Sequence, residues 1–261
     1  MNPTLASFEK LLQIMDELRE KCPWDKEQTF ESLRNHTIEE AYELAQSILE
    51  SDYDEIKKEA GDLLLHIVFY AKIGSEKQLF DMKDIIDSLC KKLIYRHPHV
   101  FGEALAENEK EVMEQWEALK LKENPKRKTV LSGVPDSLPA MIKANRIQQK
   151  ARSVGFDWEN KEDVWSKVQE ELDELKAEII AQDKERIENE FGDFLFSIIN
   201  AGRLYGIDPE TALEKTNIKF KQRFEYLESK TISQGKSLKD MSLAEMDVYW
   251  NEAKKLENKK V

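Results

Sequence analysis

Apolar residues recur along this chain at the three-and-four spacing of amphipathic helices, and two stretches are oily enough to read as largely buried helix. They are "GDLLLHIVF", Gly61 to Phe69, and "GDFLFSII", Gly192 to Ile199. Each opens on an aspartate, Asp62 or Asp193, and an unpaired charge in such surroundings costs roughly several kcal/mol unless a cation or hydrogen-bond donors meet it. Around the first stretch the pattern predicts helices near 4–20, through Glu40 and Glu43, through Glu59 and Asp62, near 81–95 and near 107–121, with a loop at "KCPWDKEQTF". Around the second it predicts helices near 140–153, through Glu171 and Glu174, through Glu190 and Asp193, near 209–230 and near 242–257. The expected fold class is all-α.

The two halves repeat each other. Glu39, Glu40, Glu43, Glu59, Gly61 and Asp62 recur as Glu170, Glu171, Glu174, Glu190, Gly192 and Asp193, all displaced by 131 residues without a gap. Apolar positions follow the same offset: Leu44 with Leu175, Ile48 with Ile179, Leu63 with Phe194, Val68 with Ile199. Between the copies, "ENPKRKTVLSGVPDSLPAM" carries three of the seven prolines, a glycine and a basic cluster, the marks of a connector. The expectation is two tandem helical-bundle domains, 1–122 and 140–261, joined by a proline-rich linker at 123–139. Within a copy the turn falls near Ser51-Asp52, where either residue can cap the second helix, and Asp183 is the equivalent in copy two.

Composition narrows the function classes. With 35% charged residues and few Gly and Pro, the chain reads as a soluble, mostly helical protein. A net charge of −12 argues against a surface that tracks a nucleic-acid backbone, though a metal ion can invert the charge of a local acidic site. Two cysteines, Cys22 and Cys90, make no disulfide framework and fit a reducing compartment, so a cytoplasmic location is expected. The amphipathic, acidic start has no signal-peptide pattern, and the longest apolar run, broken by His66, is far short of the roughly 20 residues of a membrane span.

The spacing of the acids carries the chemistry. Residues three or four apart share a helix face, so Glu40 pairs with Glu43 and Glu59 with Asp62. Folded as a hairpin about residue 51, Glu43 and Glu59 stand at equal height, each about 12 Å from the turn, and Glu40 faces Asp62. The same holds about Gln182 for Glu171, Glu174, Glu190 and Asp193. Four converging carboxylates without a counter-charge would repel one another, and a divalent cation resolves this. Oxygen-only donors favour Mg²⁺ or Mn²⁺ over Zn²⁺. A lone acidic pair on a charged helix is usually a solvated face. Here Asp62 and Asp193 head apolar runs, and the four acids persist between copies while surface neighbours differ. Gly61 and Gly192, costly in a helix by about 1 kcal/mol, are expected to permit close helix approach.

An EExxE helix followed at this interval by ExxD resembles the MazG family of nucleoside triphosphate pyrophosphohydrolases, within the all-α NTP pyrophosphatase superfamily. The likeness covers almost the whole chain: "CPWDKEQT", "IEEAYE", "GDLLLHIVFYA" and "RHPHVFG" look like the family's first domain, and "KARSVGFDW", "EELDEL", "NEFGDFLFSIIN" and "TNIKFKQRF" like its second. The resemblance implies hydrolysis of nucleoside triphosphates, over a broad range of NTPs and dNTPs, to the monophosphate and pyrophosphate. It also implies Mg²⁺ on the acidic helices, a housecleaning role, a homodimer, and catalysis in the second domain with a structural or regulatory first domain.

The residues support that asymmetry in part. Both copies keep the four acids, so the first could also bind metal, but Phe69 becomes Asn200, a polar group on the metal helix of copy two. Lys219 and Arg223, one turn apart, suit phosphate contacts, whereas copy one offers Arg96 followed by histidines. Arg146 and Lys150 share a face and precede Phe156 and Trp158, candidates for stacking on a base, and Trp250 with Lys254 forms a similar candidate pair. Trp24-Asp25 matches Asp157-Trp158 only after a one-residue slip. Glu171 and Glu174 are the candidates both for metal ligation and for accepting a proton from the attacking water, with Lys219 and Arg223 assisting. Two other readings compete. A di-iron bundle wants Glu-x-x-His, which no motif glutamate here provides, all four histidines lying in the first half. A non-enzymatic helical regulator would use the acidic faces to bind a partner.

Overall fold

A computed structural model describes residues 2–108, 111–112, 115–116, 119–120, 123, 129–233, 235 and 237–257. It divides into two compact units, Met1–Lys120 and Leu121–Val261, and no strand occurs among the described residues. None of their helices is long and apolar enough to cross a membrane.

The first unit runs α1 (Pro3–Lys21), α2 (Pro23–Glu27), α3 (Phe30–Glu50), α4 (Tyr53–Glu76), α5 (Met82–Arg96) and α6 (Pro98–Phe101). The segment expected as a loop at 21–30 contains α2 instead. Pro23 is pre-set for a first helical position and Asp25 sits favourably in the first turn, so a short helix forms where the proline and polar residues suggested none. Thr29 then opens α3 with a capping box, its side chain accepting from the Ser32 amide while the Ser32 hydroxyl accepts from the Thr29 amide. Met15, Leu33, Val68, Phe69 and Ile73 form the core, with Phe8, Leu12, Phe30 and Tyr70 packed around it. Of the helix expected near 107–121, residues 111–112, 115–116 and 119–120 are described and are helical, and 109–110, 113–114, 117–118 and 121 lie outside the described residues.

The second unit runs α7 (Ala140–Arg152), α8 (Val164–Ala181), α9 (Lys184–Leu204), α10 (Pro209–Ser233) and α11 (Leu243–Glu257). Val164, Val168 and Ala201 form its buried cluster, with Phe194 and Leu204 against it. Of the expected linker, 124–128 lie outside the described residues, and Val130–Gly133 make a 3-10 turn that packs on α7.

In both units the dominant packing is a helical hairpin, α3 on α4 and α8 on α9. Each hairpin turns on two residues. Ser51 and Gln182 adopt the left-handed conformation, at φ 58° and 60°, and end the first helix. Asp52 and Asp183 cap the second, accepting from the amides of Asp54 and Glu55 and of Arg186. This is the turn expected from the sequence, with the aspartate as the cap in each case.

Candidate metal centres

The hairpins bring the acids together as the register requires. In the first unit Glu40, Glu43 and Glu59 each offer a carboxylate oxygen within 4.8 Å of the others, and in the second Glu171, Glu174 and Glu190 do the same. Asp62 and Asp193 stand outside these tight groups. They are near enough to act on them: burial, then the charges of Asp62 and Glu43, hold the Glu40 carboxyl above its ordinary range. Burial, then Glu174 and Asp193, raise that of Glu190. Three carboxylates converge in each copy, with the fourth at the rim.

Each cluster also has a cation that sequence reasoning did not anticipate. Lys58 donates to Glu59 at 2.8 Å and to Glu55 at 3.0 Å, and its bond holds the Glu59 carboxyl below its ordinary range despite burial. Lys167 lies 2.8 Å from Glu171 and 2.9 Å from Glu170. The Lys167 to Glu171 spacing of four was a legible signal; Lys58, adjacent to Glu59, gave none. One lysine against three or four carboxylates leaves each cluster negative. Glu59 is 3% exposed, and its Oε2 has no hydrogen-bond partner among the described residues. Glu171 is likewise buried. Converging carboxylate oxygens, one of them orphaned in the first unit, make donor sets that fit a hard divalent cation.

The expected role of the two glycines is corrected. A Cβ built at Gly61 or Gly192 meets nothing within 4 Å, so neither residue permits a close helix approach. The partner helix simply does not press on that side of the backbone.

The other candidate residues divide into two groups. Asn200 accepts from Arg203 at 3.0 Å from Nε and 2.8 Å from Nη2, and Arg203 also grips both carboxylate oxygens of Asp157. Burial alone would push the Asp157 carboxyl up, but the guanidinium overrides it and holds it below the ordinary range. Asp157 sits between Phe156, which is 81% exposed, and the partly exposed Trp158. Nearby in sequence, Arg146 donates to Gln149 at 3.0 Å and Lys150 is buried. The second group lies on the α10–α11 pair. Arg223 donates to both oxygens of Glu257, at 2.9 and 2.7 Å, and stands over the Trp250 ring at 5.6 Å. Lys219 and Lys254 add to the pull that, behind Arg223, keeps the Glu257 carboxyl low. Arg203, Asp157 and Glu257 were missed by sequence reasoning, since Arg203 meets Asp157 across 46 residues and Arg223 meets Glu257 across 34.

Copy one is built differently beside its carboxylates. Phe69 is 2% exposed, in the core. Thr37 bonds His66 Nδ1 at 2.9 Å and the Tyr70 hydroxyl, whereas the positions 131 residues on are Val168, Ser197 and Ala201. Lys72, matching Arg203, pairs with Asp16 at 2.7 Å.

Comparison with known proteins agrees with this duplication. The profile of the MazG nucleotide pyrophosphohydrolase domain matches residues 28–101 and again 159–227. The chain is 45% identical over 250 residues to the nucleoside triphosphate pyrophosphohydrolase/pyrophosphatase MazG of Thermotoga maritima, covering 95% of each chain. It is 40% identical over 260 residues to the nucleoside triphosphate pyrophosphohydrolase of Escherichia coli, covering 97% of this chain and 99% of that one. It is also 43% identical over 256 residues to an uncharacterized Bacillus subtilis protein, YabN, covering 97% of this chain and 52% of that one.

Proposed function

The chain belongs to the MazG family, and from that premise we propose that it hydrolyses nucleoside triphosphates, NTPs and dNTPs alike, to the monophosphate and pyrophosphate, with the working site in the second unit. The observation that carries this reading is the convergence of Glu171, Glu174 and Glu190 within 4.8 Å, with Glu171 buried, and the choice of the second unit rests on Asn200 where the first has the buried Phe69. Those glutamates, with Asp193 at the rim, would hold Mg²⁺, or Mn²⁺ in its place. A bound divalent ion supplies neutralisation of the charge that develops on the pyrophosphate leaving group.

The chain's own residues do the rest. Glu171 or Glu174 takes the proton of the attacking water. Lys219 and Arg223 meet phosphate oxygens, Arg223 exchanging its bond to Glu257 for one to substrate. Arg146, Lys150, Lys254, Asn200 and the faces of Phe156, Trp158 and Trp250 receive the remainder of the nucleotide. The protein acts as a homodimer in the cytoplasm, clearing the nucleotide pool. For the first unit the reading is a structural or regulatory module whose Glu40, Glu43, Glu59 and Asp62 hold a cation without turnover, because Phe69 fills the core where copy two has an amide.

Incubation with a mixture of NTPs and Mg²⁺, followed by separation of products, tests this. Monophosphate and pyrophosphate, lost on adding EDTA, are expected. Diphosphate and orthophosphate would overturn the reaction class, and no hydrolysis at all would leave the whole chain a non-enzymatic module.

A further inference from the structure

Arg203 lies one helical turn beyond Asn200 on α9, 6% of its side chain exposed, and joins two pieces of the second unit that are far apart in sequence. One is the amide of Asn200. The other is Asp157, in the segment after α7 where Gly155 takes a φ of 87° and the next residue, Phe156, is left exposed. A guanidinium has only N–H donors, so the Asn200 atom that meets Arg203 Nε and Nη2 is the carbonyl oxygen. The side-chain NH₂ of Asn200 therefore points away from Arg203 and presents two donors in a fixed direction. Asn200 follows Asp193 by seven residues, two turns along the same face of α9 and about 10 Å beyond that aspartate at the rim of the acidic cluster. That is about the reach from the inner phosphates of a nucleotide to its nucleoside. The exposed Phe156 ring is tethered at the same end of α9 through Asp157.

We propose that Arg203 is a positioning residue: it locks the Asn200 amide so that its two N–H donors face acceptor oxygens or nitrogens of the nucleoside, and it anchors the Phe156 segment beside them. The proposal rests on the second-unit site argued above and adds how that site reads the nucleoside. Copy one lacks the device, with Phe69 and Lys72 at the two positions.

The test separates nucleoside from phosphate. Binding of AMP and TMP, and separately of pyrophosphate, is measured with Mg²⁺ for wild type and for Asn200→Asp, Arg203→Met and Arg203→Lys. Asn200→Asp keeps a partner for Arg203, so the fold is retained while the donors are lost. Asn200→Asp is expected to weaken AMP and TMP about tenfold, the scale of a lost hydrogen bond, with pyrophosphate binding unchanged. KM for the triphosphate rises and kcat holds. Arg203→Met shows the same selective loss and Arg203→Lys recovers part of it. Equal weakening of monophosphate and pyrophosphate, or none of either, overturns the proposal while a wild type that still releases pyrophosphate keeps the site. A wild type that binds none of these probes overturns both.

Discussion

At matching positions of α4 and α9, Phe69 is sealed in a hydrophobic core while Asn200 is tied to a buried arginine. The hairpins around them share the turn, the aspartate cap and the three converging glutamates. What differs is the floor beneath the acids. In copy one Thr37, His66 and Tyr70 hydrogen-bond among themselves and Phe69 packs inward, so the neighbouring polar groups are satisfied internally. Copy two replaces that network by Val168, Ser197 and Ala201, and turns its polar capacity toward Arg203, Asn200 and Asp157. On the proposed reading, the comparison teaches that carboxylates gather a cation without defining a substrate site. The second task needs donors whose direction is set by groups behind them.

The largest expected effect splits the copies by activity. Glu171→Gln should lower pyrophosphate release by at least about 100-fold, the scale of a lost acid–base group, while Glu40→Gln leaves it within about twofold. Comparable losses from both, in a coupled pyrophosphate assay, would make the first unit catalytic and erase the contrast.

A second, smaller effect is in the pH dependence of stability. The Glu190 carboxyl is raised by burial and then by Glu174 and Asp193. The folded state thus holds a proton that the unfolded chain has released, so in EDTA stability falls as pH rises from the ordinary glutamate value through the raised one. Copy one has the same slope from Glu40, and an opposite one from Glu59, which Lys58 holds low. The stability Glu59 gives is present above its ordinary value and lost as pH falls through the lowered one. Urea unfolding across this range should show Glu190→Gln flattening the upper slope and Lys58→Met removing the acid-side change. An unaltered upper slope in Glu190→Gln would mean that the carboxylates of copy two do not feel one another.

The smallest effect concerns the glycines. With nothing within 4 Å of an added methyl, Gly61→Ala and Gly192→Ala should each stabilise by about 0.5–1 kcal/mol through helix propensity. Thermal melts without cation check this. If Gly192→Ala stabilises yet slows turnover while Gly61→Ala only stabilises, the space beside Gly192 belongs to substrate.

Much of this was legible in the chain because it is local and repeated. Helix periodicity, the constant offset and the Asp52 and Asp183 caps act over a few residues, so they place the hairpin and predict which glutamates meet. The parts that escaped depend on pairs distant in sequence. Arg203 meets Asp157 across 46 residues, and Arg223 meets Glu257 across 34. No spacing rule links such partners, and a charged residue on a charged helix looks the same whether it ends in solvent or in a buried pair. The short helix at Pro23–Glu27 escaped for the opposite reason: its signals are local, but proline marks both turns and helix starts.

The two-residue turns at Ser51-Asp52 and Gln182-Asp183 give the chain an unusual intolerance. Surface connections are ordinarily where a protein gains or loses residues with least harm. Here a single residue added to α9 just after its cap would rotate the remainder of that helix by about 100° and advance it by about 1.5 Å, carrying Glu190 away from Glu171 and Glu174. The turn of each hairpin is thus a fixed measure, and the length of the helix segments on either side of it, more than the identity of their surface residues, is what the site holds constant.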